Sequence, residues 1–231
     1  MKHGRVKPFK YSPFISAGVI SLAGLKELVL QMEREGATTV KFTGETIFVW
    51  DTPHGPDGFE LRLPYPANQF KYGGVRPVKL CSAETFCQNF KRPVLNLARE
   101  LDRRFHNYGL EKKVVIGVAG CQRSCSEPAT KDIGIIAHPQ GYEIMVGGSA
   151  GMKPRLARRL AIVQTEADVI EFVERILDYL KEHGVSSMRL GRLIDKLGWD
   201  DFAAAVTPAH LSGALALAAH TEIREERGGE E

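Results

Sequence analysis

The sequence predicts an α+β chain in three parts: a helix with a short strand pair, an α/β unit that holds every cysteine, and a small helical appendage. Three observations carry this. Apolar residues recur every three to four positions in two long stretches, Leu22, Leu25, Leu28, Val29, Met32 and Val169, Phe172, Val173, Ile176, Leu177, Leu180, which is the stripe of a helix packed on a core. Short β-branched and apolar runs lie between them and read as strands. Two prolines, the Gly73-Gly74 pair and Pro77 then interrupt residues 64–77, so the parts are set at 1–75, 76–184 and 185–231.

In the first part Ser21 is placed to cap the helix and Gly36 to end it. Residues 38–50 follow as two strands around Thr43-Gly44-Glu45, and 59–63 as a further short strand. In the second part a helix restarts at Pro93, with Leu97, Leu101, Phe105 and Tyr108 on one face and Gly109 as its stop. Strands are expected at 114–118, 133–137 and 142–146, then a glycine loop at 147–151 and a basic run, Lys153, Arg155, Arg158 and Arg159. Thr165 and Asp168 form the pattern of a capping box for the long helix, which Gly184 closes. Helical stretches at 190–205 and 208–220 make the appendage, and 222–231 reads as a charged, mobile tail.

With 231 residues, 43% hydrophobic and 26% charged, the composition is that of a globular protein with a core. Nothing after Met1-Lys2-His3-Gly4-Arg5 resembles a secretory leader, and no run reaches the ~18 apolar residues of a membrane span. A cytoplasmic location is the expectation, where clustered thiols bind metal more often than they form disulfides. The net charge of +3 hides an asymmetry: residues 71–159 hold 16 Lys and Arg against 7 Asp and Glu. Such a block is either a solvated basic face or the seat of a polyanion. No aromatic-and-basic RNA-binding motif accompanies it, so nucleic acid is not the expected partner.

The four cysteines fall as Cys81-x5-Cys87 and Cys121-x3-Cys125, the second pair preceded by Gly120. Four thiolates at wide, unequal spacings suit an iron–sulfur cluster. A structural zinc site is the competing reading, though its paired ligands usually stand two to four residues apart, which the first pair exceeds. The glycine loop lacks the G-x-G-x-x-G spacing of a dinucleotide fold.

Taken together, Cys-x5-Cys, Gly-Cys-x3-Cys, Lys131-Asp132-Ile133-Gly134 and Val146-Gly147-Gly148-Ser149-Ala150-Gly151 resemble the sirohaem and [4Fe–4S] unit of the nitrite and sulfite reductase family, the low-molecular-weight assimilatory-type sulfite reductases in particular. Gly18-Val19-Ile20-Ser21 and Lys41-Phe42-Thr43-Gly44 resemble that family's ferredoxin-like half domain. The resemblance covers residues 14–184. It implies an N-terminal ferredoxin-like half domain, then an α/β domain with Cys81, Cys87, Cys121 and Cys125 on the cluster and Cys125 also axial to sirohaem iron. It further implies that Arg76, Lys79, Arg123, Lys131, Arg155 and Arg158 pair with sirohaem carboxylates, with Thr43, Gly147, Gly148 and Ser149 as further cofactor contacts. The implied reaction is six-electron reduction of sulfite to sulfide, or of nitrite to ammonia. The alternative is a non-catalytic [4Fe–4S] electron-transfer protein. Where the family carries basic residues ahead of Gly18, this chain reads Phe14-Ile15-Ser16-Ala17, so the catalytic cations are sought at Lys7, Lys10 and Lys41. Electrons are expected from a separate donor such as a ferredoxin. Because half of a larger enzyme leaves the site open, the chain is expected either to form a homo-oligomer or to use residues 190–220 as a cover.

Overall fold

The computed structural model describes residues 9–11, 14–34, 40–42, 48–50, 73–185 and 188–211. They belong to two compact units, divided between Lys71 and Tyr72. In the first, α1 (Leu22–Arg34) starts at Ser21, whose hydroxyl accepts the Gly24 N–H at 3.0 Å, as the sequence predicts. Leu28 and Met32 are its buried stripe. A three-stranded antiparallel sheet accompanies it, in the order β1 (Phe9–Tyr11), β3 (Phe48–Trp50), β2 (Val40–Phe42). β1 is too short, at three residues, to show a period-2 pattern, and sequence reasoning does not see it. The expected strand at 59–63, together with Lys7, Gly36 and Thr43, lies outside the described residues.

The second unit is built on a mixed five-stranded sheet in the order β10 (Arg158–Val163), β9 (Gly141–Val146), β8 (Ile133–His138), β7 (Ile116–Ala119), β5 (Lys79–Leu80). β5, β7 and β8 run parallel, while β9 and β10 are antiparallel to their neighbours. A separate parallel pair joins β4 (Gly74–Val75) to β6 (Lys113–Val114). β7 is buried at every position, the signature of a central strand covered on both faces. β10 begins in the basic run, to which the sequence reading assigns no element. Its buried residues, Ala161 and Val163, are outnumbered by exposed Arg158, Arg159 and Ile162, and the register shifts between Arg159 and Ala161. A bulge and an arginine-rich exposed face erase the alternation that would have marked it.

A single turn, α2 (Ala83–Phe86), lies between the first two cysteines, and two longer helices pack against each other beside the sheet. α3 (Leu95–Phe105) buries Leu97, Ala98, Leu101 and Phe105, and α4 (Glu166–His183) buries the predicted stripe from Val169 to Leu180. The Thr165–Asp168 capping box is formed, with the Asp168 N–H donating to Thr165 Oγ1 at 3.1 Å. α3 stops earlier than expected: Asn107, at φ 60°, takes the left-handed conformation that ends helices, so Tyr108 lies beyond it and not on its face. Tyr108 meets Phe105 edge to face at 6.3 Å and donates its hydroxyl to Asp178 of α4.

That hydrogen bond, to a carboxylate, pushes the Tyr108 phenol up to about 12. A raised acid favours the protonated phenol in the folded state. Its stabilising contribution is therefore intact below pH ~10 and lost as pH rises toward 12. Tyr108→Phe is expected to cost roughly 1 kcal/mol at most at this solvent-accessible site, and to remove that high-pH loss. Urea midpoints at pH 8 and pH 11 measure both.

The expected helical stretch at 190–205 is two helices and not one. α5 (Leu190–Leu197) and α6 (Trp199–Val206) break at Gly198, whose φ of 103° few other residues adopt. The next expected helix, 208–220, begins as a single 3-10 turn, Ala209–Leu211, and its remainder and the tail lie outside the described residues. Arg189 forms a bidentate pair with Asp132, one arm at 2.8 Å. Arg155 likewise pairs with Asp195 of α5, one arm at 2.9 Å, and the Arg158 guanidinium lies 3.7 Å over the Trp199 ring. Gly191 is close enough to Gly147 that an added Cβ would fall 2.2 Å from the Gly147 carbonyl oxygen.

Candidate cluster site at the carboxyl edge of the sheet

Parallel strands deliver both cysteine pairs to one edge. Lys79 stands opposite Gly117 and Leu80 opposite Val118, so β5 and β7 end side by side. Cys81 follows the last residue of β5, and Gly120-Cys121 follows the last residue of β7. Gly120 joins the two loops: its N–H donates to Cys81 Sγ at 3.2 Å, and its carbonyl accepts the Lys91 N–H at 2.7 Å. The segment carrying Cys87 is thereby fastened to the end of β7. Two more N–H groups face sulfur, Ala83 to Cys81 and Asn89 to Cys87, each at 3.4 Å.

All four cysteines are free thiols, with Cys125 exposed and the others half-buried. N–H···S bonds of this kind stabilise a thiolate and tune a cluster's potential. Ala83, Ser124 and Glu127 hold left-handed φ values of 52°, 53° and 55°. Such conformations are costly for residues with a Cβ, and they concentrate where loop geometry is dictated by a site. Among the described residues no group of three or more His, Cys, Asp or Glu side chains meets at the spacing of a single metal ion. A cluster needs no such point of convergence, because its cage is several atoms across. Free thiols on abutting loops, with amide donors already aimed at two sulfurs, fit that larger group.

Sequence reasoning missed several residues that hold these loops. Glu84, between Cys81 and Cys87, accepts the Val94 and Leu95 N–H groups at 2.9 and 3.3 Å and so caps α3, which has no cap of its own. Arg92 donates to the carbonyls of His138 and Pro139, and Gln122 pairs with His138 at 3.1 Å. His138 in turn meets Glu143, which holds Arg159 at 2.7 Å. The β8–β9 turn therefore braces both cysteine loops. Pro128 presses on Gly117 and Gly134, where an added Cβ on Gly134 would lie 2.5 Å from the Pro128 carbonyl oxygen. That close approach lets the return from Cys125 lie flat on β7 and β8. Gly120 and Gly134 stand in motifs that the sequence shows; the pairs of Arg92, Gln122, His138 and Glu143 join residues distant in the chain and have no local signature. Glu84→Ala is expected to cost about 1 kcal/mol through the lost cap, read as a shift in the urea midpoint.

The predicted cofactor residues divide into two groups. Arg123 is exposed within the second cysteine loop, and Lys79 stands two residues before Cys81. Arg76 lies farther back, where its N–H donates to Val114 at 2.9 Å. Lys131 is buried, its amine on Glu127 at 3.1 Å and Thr130 at 2.9 Å. Gly147, Gly148, Ser149, Arg155 and Arg158 are not brought to the cysteines. Val146 pairs with Ile133, so the chain leaves β9 at the amino ends of β7 and β8. Cys81 and Cys121 stand at their carboxyl ends, three and five residues farther along, about 10–17 Å by strand rise. The reason is topological: β9 runs antiparallel, so the loop after it opens at the far edge. In the first unit, Lys10 and Lys41 both stand opposite Val49, in one row across the sheet.

Residues 72–212 match the family described as "Nitrite and sulphite reductase 4Fe-4S domain". The nitrite reductase [NAD(P)H] of Bacillus subtilis (strain 168) is 26% identical over 199 residues, 80% of this chain and 23% of that protein. The assimilatory-type sulfite reductase of Nitratidesulfovibrio vulgaris is 21% identical over 124 residues, covering 54% of this chain and 57% of that one. The crystal structure of dissimilatory sulfite reductase I superposes with a TM-score of 0.69 at 14% identity, over 87% of this chain and 69% of that one, a likeness of fold. The chain thus spans about a quarter of the length of the Bacillus relative.

Proposed function

The chain belongs to the nitrite and sulphite reductase 4Fe-4S domain family, oxidoreductases that use a [4Fe–4S] cluster with sirohaem, and we propose that it reduces sulfite to sulfide. The observation that carries this reading is the meeting of both cysteine loops at Gly120. Cys81, Cys87, Cys121 and Cys125 would hold the cluster, with Cys125, the most exposed, turned toward sirohaem. When bound, the two groups supply one-electron steps and an open iron position for the anion.

The protein's own contribution is positioning and charge. The Gly120 and Ala83 amides stabilise the Cys81 thiolate. Arg123 and Lys79 offset carboxylates at this edge, which otherwise cost several kcal/mol each to desolvate. In the N-terminal unit Lys10 and Lys41, with Lys7, are the candidate contacts for a small anion, the first two already in one row. Electrons come from an external donor of ferredoxin type. Among the described residues no helix is long and apolar enough to cross a membrane.

Sulfite is favoured over nitrite because the assimilatory-type sulfite reductase is matched over 57% of its own length, whereas the Bacillus nitrite reductase is matched over 23%. Nitrite is the second reading, supported by the higher identity to that relative. Anaerobic turnover of cofactor-loaded protein with reduced methyl viologen separates them. Sulfide from sulfite, at a kcat/KM at least about tenfold above that for nitrite, is the expected result. Ammonium as the main product supports the second reading, and neither product from loaded protein contradicts both.

A further inference from the structure

The glycine loop and its arginines, set apart from the cysteines, border a cleft of their own. It measures about 530 Å³ and lies between the tip of a small hairpin, the first turn of α5 and Lys112. Ser149 and Arg155 pair across the hairpin at 3.0 and 2.9 Å, which presents Lys153 at its tip. Among the described residues five cations line the cleft, Lys112, Lys153, Arg155, Arg189 and Arg192, and no carboxylate does.

Two of the five form the frame. Arg155 grips Asp195 and Arg189 grips Asp132, which fixes α5 against the loop. Arg155 Nε is nevertheless buried without a hydrogen-bond partner. The other three, Lys112, Lys153 and Arg192, have no ion pair with a carboxylate among the described residues. Gly191 borders the cleft at a point where a side chain would strike the Gly147 carbonyl, so that wall stays bare. The Arg189 side chain, held by Asp132, makes no capping hydrogen bond to α5, and the amide end of the helix adds to the positive field.

Like charges converging on a concave surface without counter-charges repel one another, and a bound anion relieves that cost. The volume falls within the range of small-molecule sites and exceeds what a single phosphate fills. We propose that this cleft binds a multivalent oxyanion, a phosphate- or carboxylate-bearing small molecule, through Lys112, Lys153 and Arg192. It is a second site, about a strand length from Cys81 and Cys121, and it does not depend on the reductase reading.

Calorimetric titration of the cofactor-loaded protein at low salt tests it, with pyrophosphate and citrate as probes in separate arms. The expected result is saturable one-site binding of at least one probe, weakened about tenfold or more in K112Q/K153Q/R192Q and weakened progressively by added salt. Preference for pyrophosphate identifies a phosphate ligand, and preference for citrate a polycarboxylate. The exposed single variant R192Q, expected to bind several-fold more weakly, serves if the triple variant does not fold. No saturable binding of either probe by the unaltered protein, or equal affinity in R192Q, overturns the proposal. Visible absorbance recorded in parallel should be the same for all variants, so failure here is distinct from failure of the cluster site.

Discussion

Cys121→Ser is expected to yield a folded protein with no cluster absorbance and no sulfite reduction, a loss and not a decrement. The reason lies in how the loops are tied. Cys121 follows Gly120 directly, and Gly120 contacts both the Cys81 sulfur and the backbone of the Cys87 segment. A hydroxyl at 121 removes one soft ligand from a set of four while leaving the surrounding amide bonds intact. The fold itself should survive, because the half-buried thiol contributes little to a core formed by residues such as Leu97, Ile135 and Phe172. Far-ultraviolet circular dichroism and visible spectra of anaerobically prepared protein check the two halves of this expectation. Cys125→Ser should act on both cofactors. Arg123→Ala, at an exposed position in the same loop, should spare the cluster and lower sirohaem retention. Equal, negligible effects of Cys125→Ser and Arg123→Ala would remove the site assignment.

The second large effect concerns Asp132, which is fully buried. Its carboxylate accepts the Val115 N–H at 2.8 Å and both arms of Arg189. Arg189→Ala leaves that charge buried and uncompensated, a change that typically costs about 3–5 kcal/mol. Asp132→Asn in the same background should recover part of the loss by removing the stranded charge. Chemical denaturation of the single and double variants measures the difference. Burial pushes the Asp132 carboxyl up, and Arg189 and the Val115 amide pull back without cancelling it. A raised acid binds more protons folded than unfolded, so this group's contribution to stability falls as pH climbs from 3.8 through its folded value. Loss of Arg189 should steepen that fall, visible as a larger spread of denaturation midpoints across the acid range.

Much of this was legible because the informative signals are local. α1 and α4 carry caps and stripes within one element, and the cysteine pairs sit in short motifs that two parallel strands bring to one edge. What stayed hidden needs partners distant in sequence. Lys131-Asp132 stands in a recognisable motif, yet Asp132 finds Arg189 only once the appendage folds back. β10 was obscured by its bulge and exposed arginines, and the break between α5 and α6 rests on a single glycine in a helical pattern. The family resemblance, and no spacing within the chain, associates the glycine loop with the cofactors. The antiparallel course of β9 sends it to the other edge, which no spacing rule reveals.

The proposed function requires four thiolates sharing one inorganic core. Its most direct test is anaerobic reconstitution with iron and sulfide, followed by electron paramagnetic resonance of the dithionite-reduced protein. A reduced [4Fe–4S] signal, with equal iron and acid-labile sulfide in the protein and its disappearance in Cys121→Ser, is the predicted result. Stoichiometric zinc bound in place of iron, or an unchanged signal in that variant, would contradict it.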